Sequence, residues 1–310
     1  RDFVQQHAAP MTFPKDGSSY IILSPIELSI RRKIKAVGKP LKEWDVQINY
    51  GIKTGCNEAF IITTEKRNEL LSQCQSEEER QRTAELIRPI LRGRDIKRYS
   101  YDWAGLWVIA TFPSRHYDIE DYPTVRDYLL SFGRERLEQT GKTHTIDGVT
   151  FKSRKKTANK WFEVQDSIAY WKDFDRPKIV WGEISDRSKF AYEDKGGFVP
   201  EATTFLMVGC DLPYLLCVLN APLSEWFFSK IGTTTGVGTI RWKKYTIQEL
   251  LIPCISDTQK AQFTTLVHCF IRHKISFDQL LRQANQLLYD AVDLTADEIR
   301  YIESFYSPAL

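Results

Sequence analysis

The chain has 310 residues, 42% of them hydrophobic, which is enough for one large core or two moderate ones. Lys and Arg total 43 against 40 Asp and Glu, so bulk charge does not indicate a nucleic-acid partner, and any electrostatic argument depends on where cations cluster. The longest apolar runs are too short to span a bilayer, and none of the six cysteines forms a Cys-x-x-Cys pair, which argues against membrane insertion and a zinc site. We expect reduced thiols in a cytoplasmic protein.

The first predicted element is a helix. Residues 1–23 are expected to be irregular, and Ser24-Pro25-Ile26-Glu27 is typical of a helix start, with proline near the first position. This helix should run to about Val37 and stop at Gly38-Lys39-Pro40. The chain opens with Arg1 and not Met, so we expect it to be a fragment of a longer protein.

Short strands interleaved with helices are predicted from Trp44 to about Ile255. The predicted strands are Val46–Tyr50, Ala59–Thr63, Leu106–Ala110, Lys178–Gly182 and Thr204–Val208. The predicted helices are Glu65–Cys74, Ser76–Ile90, Thr124–Thr140 and Pro213–Ser229.

The pattern changes after Asp257. Apolar residues recur at helical spacing from Gln259 to Ala291, which predicts an amphipathic helical stretch. A last short helix should follow, because Thr295 and Glu298 have the spacing of a capping box. Together the elements predict an α+β fold, a mixed-sheet domain closed by a C-terminal helical segment.

A glycine-bracketed turn, Gly51-Ile52-Lys53-Thr54-Gly55, separates the first two predicted strands. Its glycines would let the backbone come close to a partner, and Lys53, Thr54 and Asn57 supply hydrogen-bond donors.

Cations cluster in three segments, a distribution suited to phosphate contact. The first surrounds Gly93, the second follows a Gly-rich polar stretch over 141–148 that predicts a mobile basic loop ordering on DNA, and the third carries two aromatic residues that could hold an unstacked base. The clusters are Arg88, Arg92, Arg94, Lys97 and Arg98; Lys152, Arg154, Lys155 and Lys156; and Arg241, Lys243 and Lys244 with Trp242 and Tyr245.

Seven segments between about Ser24 and Ile255 follow one another in a recognisable order. They are GKPLKEW, GIKTGCNEAFII, RPILRGRDIKRY, DYPTVRDYLLSF, RPKIVWGEI, YLLCVLNAPLSEWFF and ELLIPCI. This ordered set resembles the target recognition domain of type IIG restriction–modification enzymes, the TaqI-like C-terminal specificity domain.

The resemblance implies sequence-specific recognition of duplex DNA for an attached adenine-N6 methyltransferase, and often for a nuclease. We therefore expect three regions: a linker and leading helix from a missing methyltransferase domain (1–43), a DNA target recognition domain (44–256) and a C-terminal helical segment (257–310). The expected partners are duplex DNA and the methyltransferase domain of the same polypeptide, with no membrane. Asn-Pro-Pro-Tyr and a Rossmann fingerprint are both absent from the sequence. We expect no cofactor in this fragment, and S-adenosylmethionine, with Mg²⁺ as a further option, in the parent enzyme.

Twelve residues are predicted to face DNA, with lysines touching phosphate and arginines and Asn57 reading bases. They are Lys53, Thr54, Asn57, Arg92, Arg94, Lys97, Arg98, Arg154, Lys155, Arg187, Arg241 and Lys243. No catalytic or metal residues are assigned to this fragment.

Two alternatives stay open from the sequence. The stretch 259–291 resembles the spacer helix of type I specificity subunits and could dock a protein partner if its apolar stripe were exposed. Glu193-Asp194-Lys195, with Asp175 or Asp186, could form a Mg²⁺ nuclease site, although 193–197 also has the composition of a polar hairpin turn.

Overall fold

A computed structural model describes residues 23–231, 233–234 and 240–306. Its strands, numbered β1 to β15 in chain order, are Gly38–Pro40, Val46–Tyr50, Ile61–Thr63, Ile87–Leu91, Leu106–Ile109, Thr143–Ile146, Val149–Lys152, Lys178–Gly182, Ile184–Ser185, Phe190–Glu193, Val199–Pro200, Thr204–Gly209, Thr233–Thr234, Ile240–Arg241 and Leu251–Pro253. Its α-helices, numbered α1 to α12, are Pro25–Val37, Asn57–Phe60, Thr64–Gln73, Glu77–Leu86, Pro123–Leu130, Arg134–Leu137, Leu212–Asn220, Pro222–Ile231, Lys244–Ile247, Asp257–Ile271, Phe277–Ala291 and Ala296–Tyr306. The α+β prediction is confirmed.

The chain forms two compact units, and it passes between them more than once. The sheet unit comprises 46–183 and 189–209, and the helical unit comprises the described residues of 1–45, 184–188 and 210–310. Neither unit is a continuous segment, whereas the sequence interpretation drew its three regions as successive ones. The functional division into linker, recognition domain and helical segment stays a prediction.

Two four-stranded sheets build the sheet unit. One is antiparallel with the order β10-β8-β12-β2, and the other has the order β11-β4-β5-β3, in which β11 and β4 are parallel. A single apolar core is buried with them and includes Phe60, Val108, Leu129, Phe174 and Leu206. A separate two-stranded hairpin, β6–β7, completes the unit.

In the helical unit, β1 pairs with β15 in antiparallel register, and α7, α10 and α11 pack together. Tyr214 on α7 donates its hydroxyl to the Pro253 carbonyl at 2.7 Å, and its ring lies 5.0 Å from that of Phe263. The leading helix begins as predicted. Ser24 accepts from the Glu27 N–H while the Glu27 carboxylate accepts from the Ser24 N–H, and the helix ends at Val37. The capping box of Thr295 and Glu298 is also confirmed.

The predictions of long uninterrupted helices were wrong, and each break has a local cause. Ser76–Ile90 ends at Leu86, because buried Ile87 pairs with β5 and buried Ile90 pairs with β11 instead. Gly133, at φ 87°, interrupts 124–140. Pro222 holds Ala221 extended and divides 213–229. The stretch 259–291 is two helices, since Ser276 caps a new one.

Two of the predicted strands are confirmed with their bounds, and a third is shorter than predicted. Val46–Tyr50 and Lys178–Gly182 have the predicted bounds. Ala59–Thr63 is a strand only from Ile61, because Asn57–Phe60 forms one helical turn with Ala59 and Phe60 facing the core.

Candidate nucleic-acid interface

An open cleft of about 640 Å³ lies on the sheet unit, and two of the predicted clusters meet in it although they are about a hundred residues apart in the chain. The glycine turn forms one wall and the end of β7 with the residues after it forms another. The lining residues are Lys53, Thr54, Gly55, Cys56, Asn57, Glu58, Arg136, Lys152, Ser153, Arg154, Lys155, Gln165 and Ala202.

Contacts within the protein set the shape of the glycine turn. A Cβ on Gly51 would lie 1.9 Å from the carbonyl oxygen of Glu201, so the close backbone approach predicted for a partner is made to the protein itself. Gly55 adopts φ 77°. Thr54 is buried, donates its hydroxyl to Asn57 Oδ1 at 2.6 Å and accepts from the Cys56 N–H at 3.2 Å. Lys53 and Asn57 remain exposed on the cleft.

Arg154 joins the walls of the cleft. It is 4% exposed and donates to four backbone carbonyls, at distances of 2.6 to 2.8 Å, so its burial is compensated by hydrogen bonds. The acceptors belong to Leu137, Thr54, Glu163 and Trp161. Burial lowers the pKa of Arg154 to about 10, and it therefore stays charged at neutral pH. This geometry holds loops together and does not suit the predicted base-reading role.

The cleft carries more positive than negative charge. Lys53, Lys152 and Lys155 are exposed and make no ion pair with any residue that the structure describes. Arg136 pairs with Glu58, the acidic residue of the lining. Three unpaired ammonium groups around a concave polar surface can bind phosphate oxygens.

A carboxylate, that of Asp95, organises the cluster around Gly93 by binding Arg92. Asp95 is buried, accepts from the Arg92 N–H at 2.9 Å and binds the Arg92 guanidinium through Nε at 3.1 Å and Nη2 at 2.8 Å. These hydrogen bonds raise the pKa of Arg92. Arg94 is exposed and has no ion pair among the described residues. Lys97 is exposed and lies 3.9 Å from Asp102, and Arg98 is half-buried beside the Tyr99 ring.

The other three predicted residues belong to the helical unit. Arg187 binds the buried carboxylate of Glu225 at 3.0 Å. Arg241 lies on β14, opposite Ile184 of β9, and Lys243 is half-buried with its ammonium 5.6 Å from the Tyr245 ring. The structure thus brings Lys53, Thr54, Asn57, Arg154 and Lys155 together, whereas the cluster around Gly93 does not line this cleft.

Two cations of the cleft were missed by the sequence interpretation. Arg136 lay inside a helix predicted to be continuous, and the glycine just before Arg134 could have signalled the turn that presents it. Lys152 was part of a recognised basic run but was not selected. Residues 143–152 are likewise not a loop but a β-hairpin, and Asp147-Gly148 between alternating β-branched residues is a hairpin signal that was overlooked.

The carboxylate at the centre of the alternative nuclease site is bound to a lysine. Glu193 is buried and forms an ion pair with Lys178, whose ammonium also donates to the carbonyls of Phe174 and Arg176. Within the described ranges, no group of three His, Cys, Asp or Glu side chains could hold a metal ion. Nor do residues 193–197 form a hairpin, since β10 pairs with β8 and β11 pairs with β4.

A family model described as the TaqI-like C-terminal specificity domain matches residues 88–252, which is more than half of the chain. The chain belongs to this family. The match covers the Gly93 cluster, the hairpin and the second and third basic clusters, and it runs through segments of both units.

Related proteins agree with this assignment. The chain is 22% identical over 260 residues to the type II methyltransferase M.PaeR7I of Pseudomonas aeruginosa, covering 83% of this chain and 41% of that protein. It therefore spans less than half the length of that relative. Neither an interaction module nor a nuclease, the two alternatives, is supported by these matches.

Solved structures share the fold. The type IIG restriction endonuclease BpuSI matches with a TM-score of 0.50 and 14% identity over 86% of this chain and 32% of its own. The type IIL restriction-modification enzyme MmeI, solved in complex with DNA, matches with a TM-score of 0.52 and 14% identity over 88% of this chain and 34% of its own. No helix in the described part of the chain is long and apolar enough to cross a membrane.

Proposed function

We propose that this specificity domain binds duplex DNA through the basic cleft of its sheet unit and selects a target sequence for an adenine-N6 methyltransferase on the same polypeptide. The observation that carries the proposal is the convergence of Lys53, Lys152 and Lys155, none ion-paired within the described residues, on one open surface. Family membership and the likeness to a type II methyltransferase support it.

The side chains of the cleft and those of the cluster around Gly93, which lies outside it, would have distinct tasks in binding DNA. The three lysines would neutralise phosphates, since an ammonium is a point charge without directional preference. Arg94 and Asn57 present planar donor groups that suit base edges. Arg154 and Arg92 would act indirectly by holding the loops on which those side chains lie.

The parent activity is part of the proposal. An attached methyltransferase would use S-adenosylmethionine and act in the cytoplasm, where cellular DNA lies. A parent enzyme that also cleaves DNA would need Mg²⁺ for that second activity. The present chain is proposed to recognise DNA without transferring a methyl group, because its sequence carries no Asn-Pro-Pro-Tyr motif. It is proposed not to cut DNA, because its described residues include no group of three His, Cys, Asp or Glu that could hold a metal ion.

Binding to a labelled duplex pool, measured at several salt concentrations, tests the proposal. If the lysines of the cleft neutralise phosphates, changing Lys53, Lys152 and Lys155 to Ala together should make the slope of log K against log salt shallower by about three. The matched control changes Lys35, Lys195 and Lys274, three exposed lysines outside the cleft, and should leave the slope unchanged. Equal slopes for the two triple variants would refute the cleft as the interface.

A further inference from the structure

The β6–β7 hairpin is an isolated two-stranded ribbon, and its two faces differ. Ile146 lies directly opposite Val149, and His144 opposite Phe151 with their rings stacked 5.7 Å apart. Because side chains alternate along a strand, these four residues share one face. The other face carries Thr143, Thr145, Thr150 and Lys152, with the Thr145 and Thr150 hydroxyls 3.0 Å apart.

The apolar face is most exposed at its tip. Val149 is 65% exposed and Ile146 is 42% exposed. A two-stranded hairpin is at best marginally stable in water without a surface to cover its apolar face. The turn itself is well suited to a tight hairpin, with Asp147 at φ 49° and Gly148 at φ 77°.

The base of the hairpin is held firmly, in contrast to the tip. The Gly141 N–H donates to the Arg154 carbonyl at 2.9 Å, and the Ser153 N–H donates to the Lys142 carbonyl at 2.9 Å. Arg154 is itself fixed by four carbonyls from the surrounding loops. The base of the ribbon is therefore fixed before any partner binds.

Charge identifies the kind of partner that would cover the tip. Residues 142–156 contain five cations and one acid, the turn residue Asp147, and the exposed Lys152 and Lys155 line the basic cleft at the hairpin base. An apolar tip on a cationic base complements a polyanion that carries apolar groups between its phosphates. The major groove of duplex DNA admits a two-stranded ribbon and displays the thymine methyl group as its apolar feature.

We propose that the β6–β7 hairpin enters the DNA major groove and that Ile146 and Val149 contact thymine methyl groups, making them determinants of sequence preference at A·T pairs. The inference rests on the proposed DNA-binding function and deepens it. The lysines at the base would supply affinity for any sequence, while the tip would discriminate between bases.

Selection of duplexes from a random pool by this chain tests the idea without requiring that the target sequence be identified first. One pool is prepared with thymine and the other with uracil, which lacks the methyl group. We expect at least one strongly preferred A·T position with the thymine pool, and a loss of about fourfold in affinity per contacted methyl group when uracil replaces thymine there.

Two variants separate the tip from the rest of the hairpin. Ile146→Ser with Val149→Ser should bind thymine and uracil duplexes equally while keeping the salt dependence of the unaltered chain. Thr145→Ala with Thr150→Ala changes the opposite face of the same ribbon and should keep the preference for thymine. If the first pair of substitutions impairs folding, judged by circular dichroism, Val149→Ser alone replaces it.

The outcomes are distinguishable. Equal binding of thymine and uracil duplexes by the unaltered chain, or a thymine preference that survives Ile146→Ser with Val149→Ser, overturns the role of the hairpin and leaves the proposed function standing. A thymine preference lost in Thr145→Ala with Thr150→Ala would assign reading to the polar face and also overturns it. Absence of any DNA binding at low salt would overturn the proposed function and this inference together.

Discussion

Arg154 shows how a cation inside a basic run can serve the fold instead of a ligand. Its neighbours Lys152 and Lys155 are exposed, whereas its own guanidinium is buried and donates to four carbonyls from three separate segments. The planar guanidinium can satisfy several acceptors at once, which an ammonium on a flexible stem does less well.

Replacing Arg154 with Met should therefore destabilise the sheet unit. It leaves buried carbonyls without a donor, and the expected loss is about 3 kcal/mol or more in the free energy of unfolding. Urea denaturation would measure it. Lys155→Met, next in the chain and exposed, should change stability by less than about 0.5 kcal/mol, and similar values for the two variants would contradict the anchoring role.

A comparison of Arg94 with Arg92 tests whether Arg94 reads a base. Arg94 is exposed with no described ion pair, so Arg94→Ala should relax sequence choice at one position, with about 1–3 kcal/mol lost on the preferred base. Arg92 is held by Asp95, so Arg92→Ala should lower stability by about 1–2 kcal/mol through loss of that hydrogen-bonded pair. Selection from random duplexes, together with thermal unfolding, compares the two. An unchanged target motif in Arg94→Ala would remove that residue from the reading surface.

At the level of elements, the glycine turn is positioned by contact with its own sheet. The Gly51 N–H donates to the Thr204 carbonyl at 2.8 Å, and Ile52 bridges to Glu201, so the backbone at Gly51 lies against the segment before β12. The lysine and asparagine that follow are thereby presented on the cleft. Binding residues on a turn gain precision when the turn is fixed in this way.

A methyl group at Gly51 should upset this arrangement. Gly51→Ala would place a Cβ 1.9 Å from the Glu201 carbonyl oxygen, which is backbone and can move only with its strand. We expect about 3 kcal/mol lower stability and weaker DNA binding. Gly93→Ala would bring its Cβ no closer than 3.7 Å to any residue other than its chain neighbours, and Gly93, like Gly51, has no positive φ, so it is the control for replacing a glycine. Equal losses in chemical denaturation would show that contact with Glu201 is not the cause.

At the level of the whole molecule, the helical unit depends on buried carboxylates. Glu298 is 4% exposed and accepts from the Lys33 ammonium at 2.8 Å and the Thr295 N–H at 2.7 Å. Burial by itself would raise the pKa of Glu298, but these hydrogen bonds and one from Ser29 outweigh it and lower the pKa to about 2. Glu27, bound by Lys230, has its pKa lowered to about 2 in the same way.

Acid should therefore weaken the helical unit over a defined range. A carboxylate with a depressed pKa stabilises the folded state fully above the unfolded value of 4.5, and this contribution is lost as pH falls from there toward 2. Glu298→Gln should remove about 2–3 kcal/mol at neutral pH and flatten the acid dependence. The exposed Glu303 on the same helix is the control position. Urea unfolding at pH 7, 4 and 3 measures both variants, and parallel pH profiles would contradict this account.

Local patterns in the sequence were sufficient for features that depend on neighbours in the chain. The helix start at Ser24 followed from the proline after it, the capping box at Thr295 from side chains three residues apart, and the bounds of Val46–Tyr50 and Lys178–Gly182 from β-branched runs. Family membership followed from the order of several short segments, because the order of segments is a property of the sequence itself.

Tertiary structure decided which cations share a surface and which are buried. Arg154 and Lys155 are adjacent and both cationic, and only the packing of segments from three other parts of the chain makes one an anchor and leaves the other exposed. Asp95, by contrast, binds Arg92 through a local turn, in which its carboxylate also accepts from the Arg92 backbone N–H. Contacts distant along the chain select among partners that local spacing leaves equivalent, and for that reason the cleft could not be drawn from the sequence.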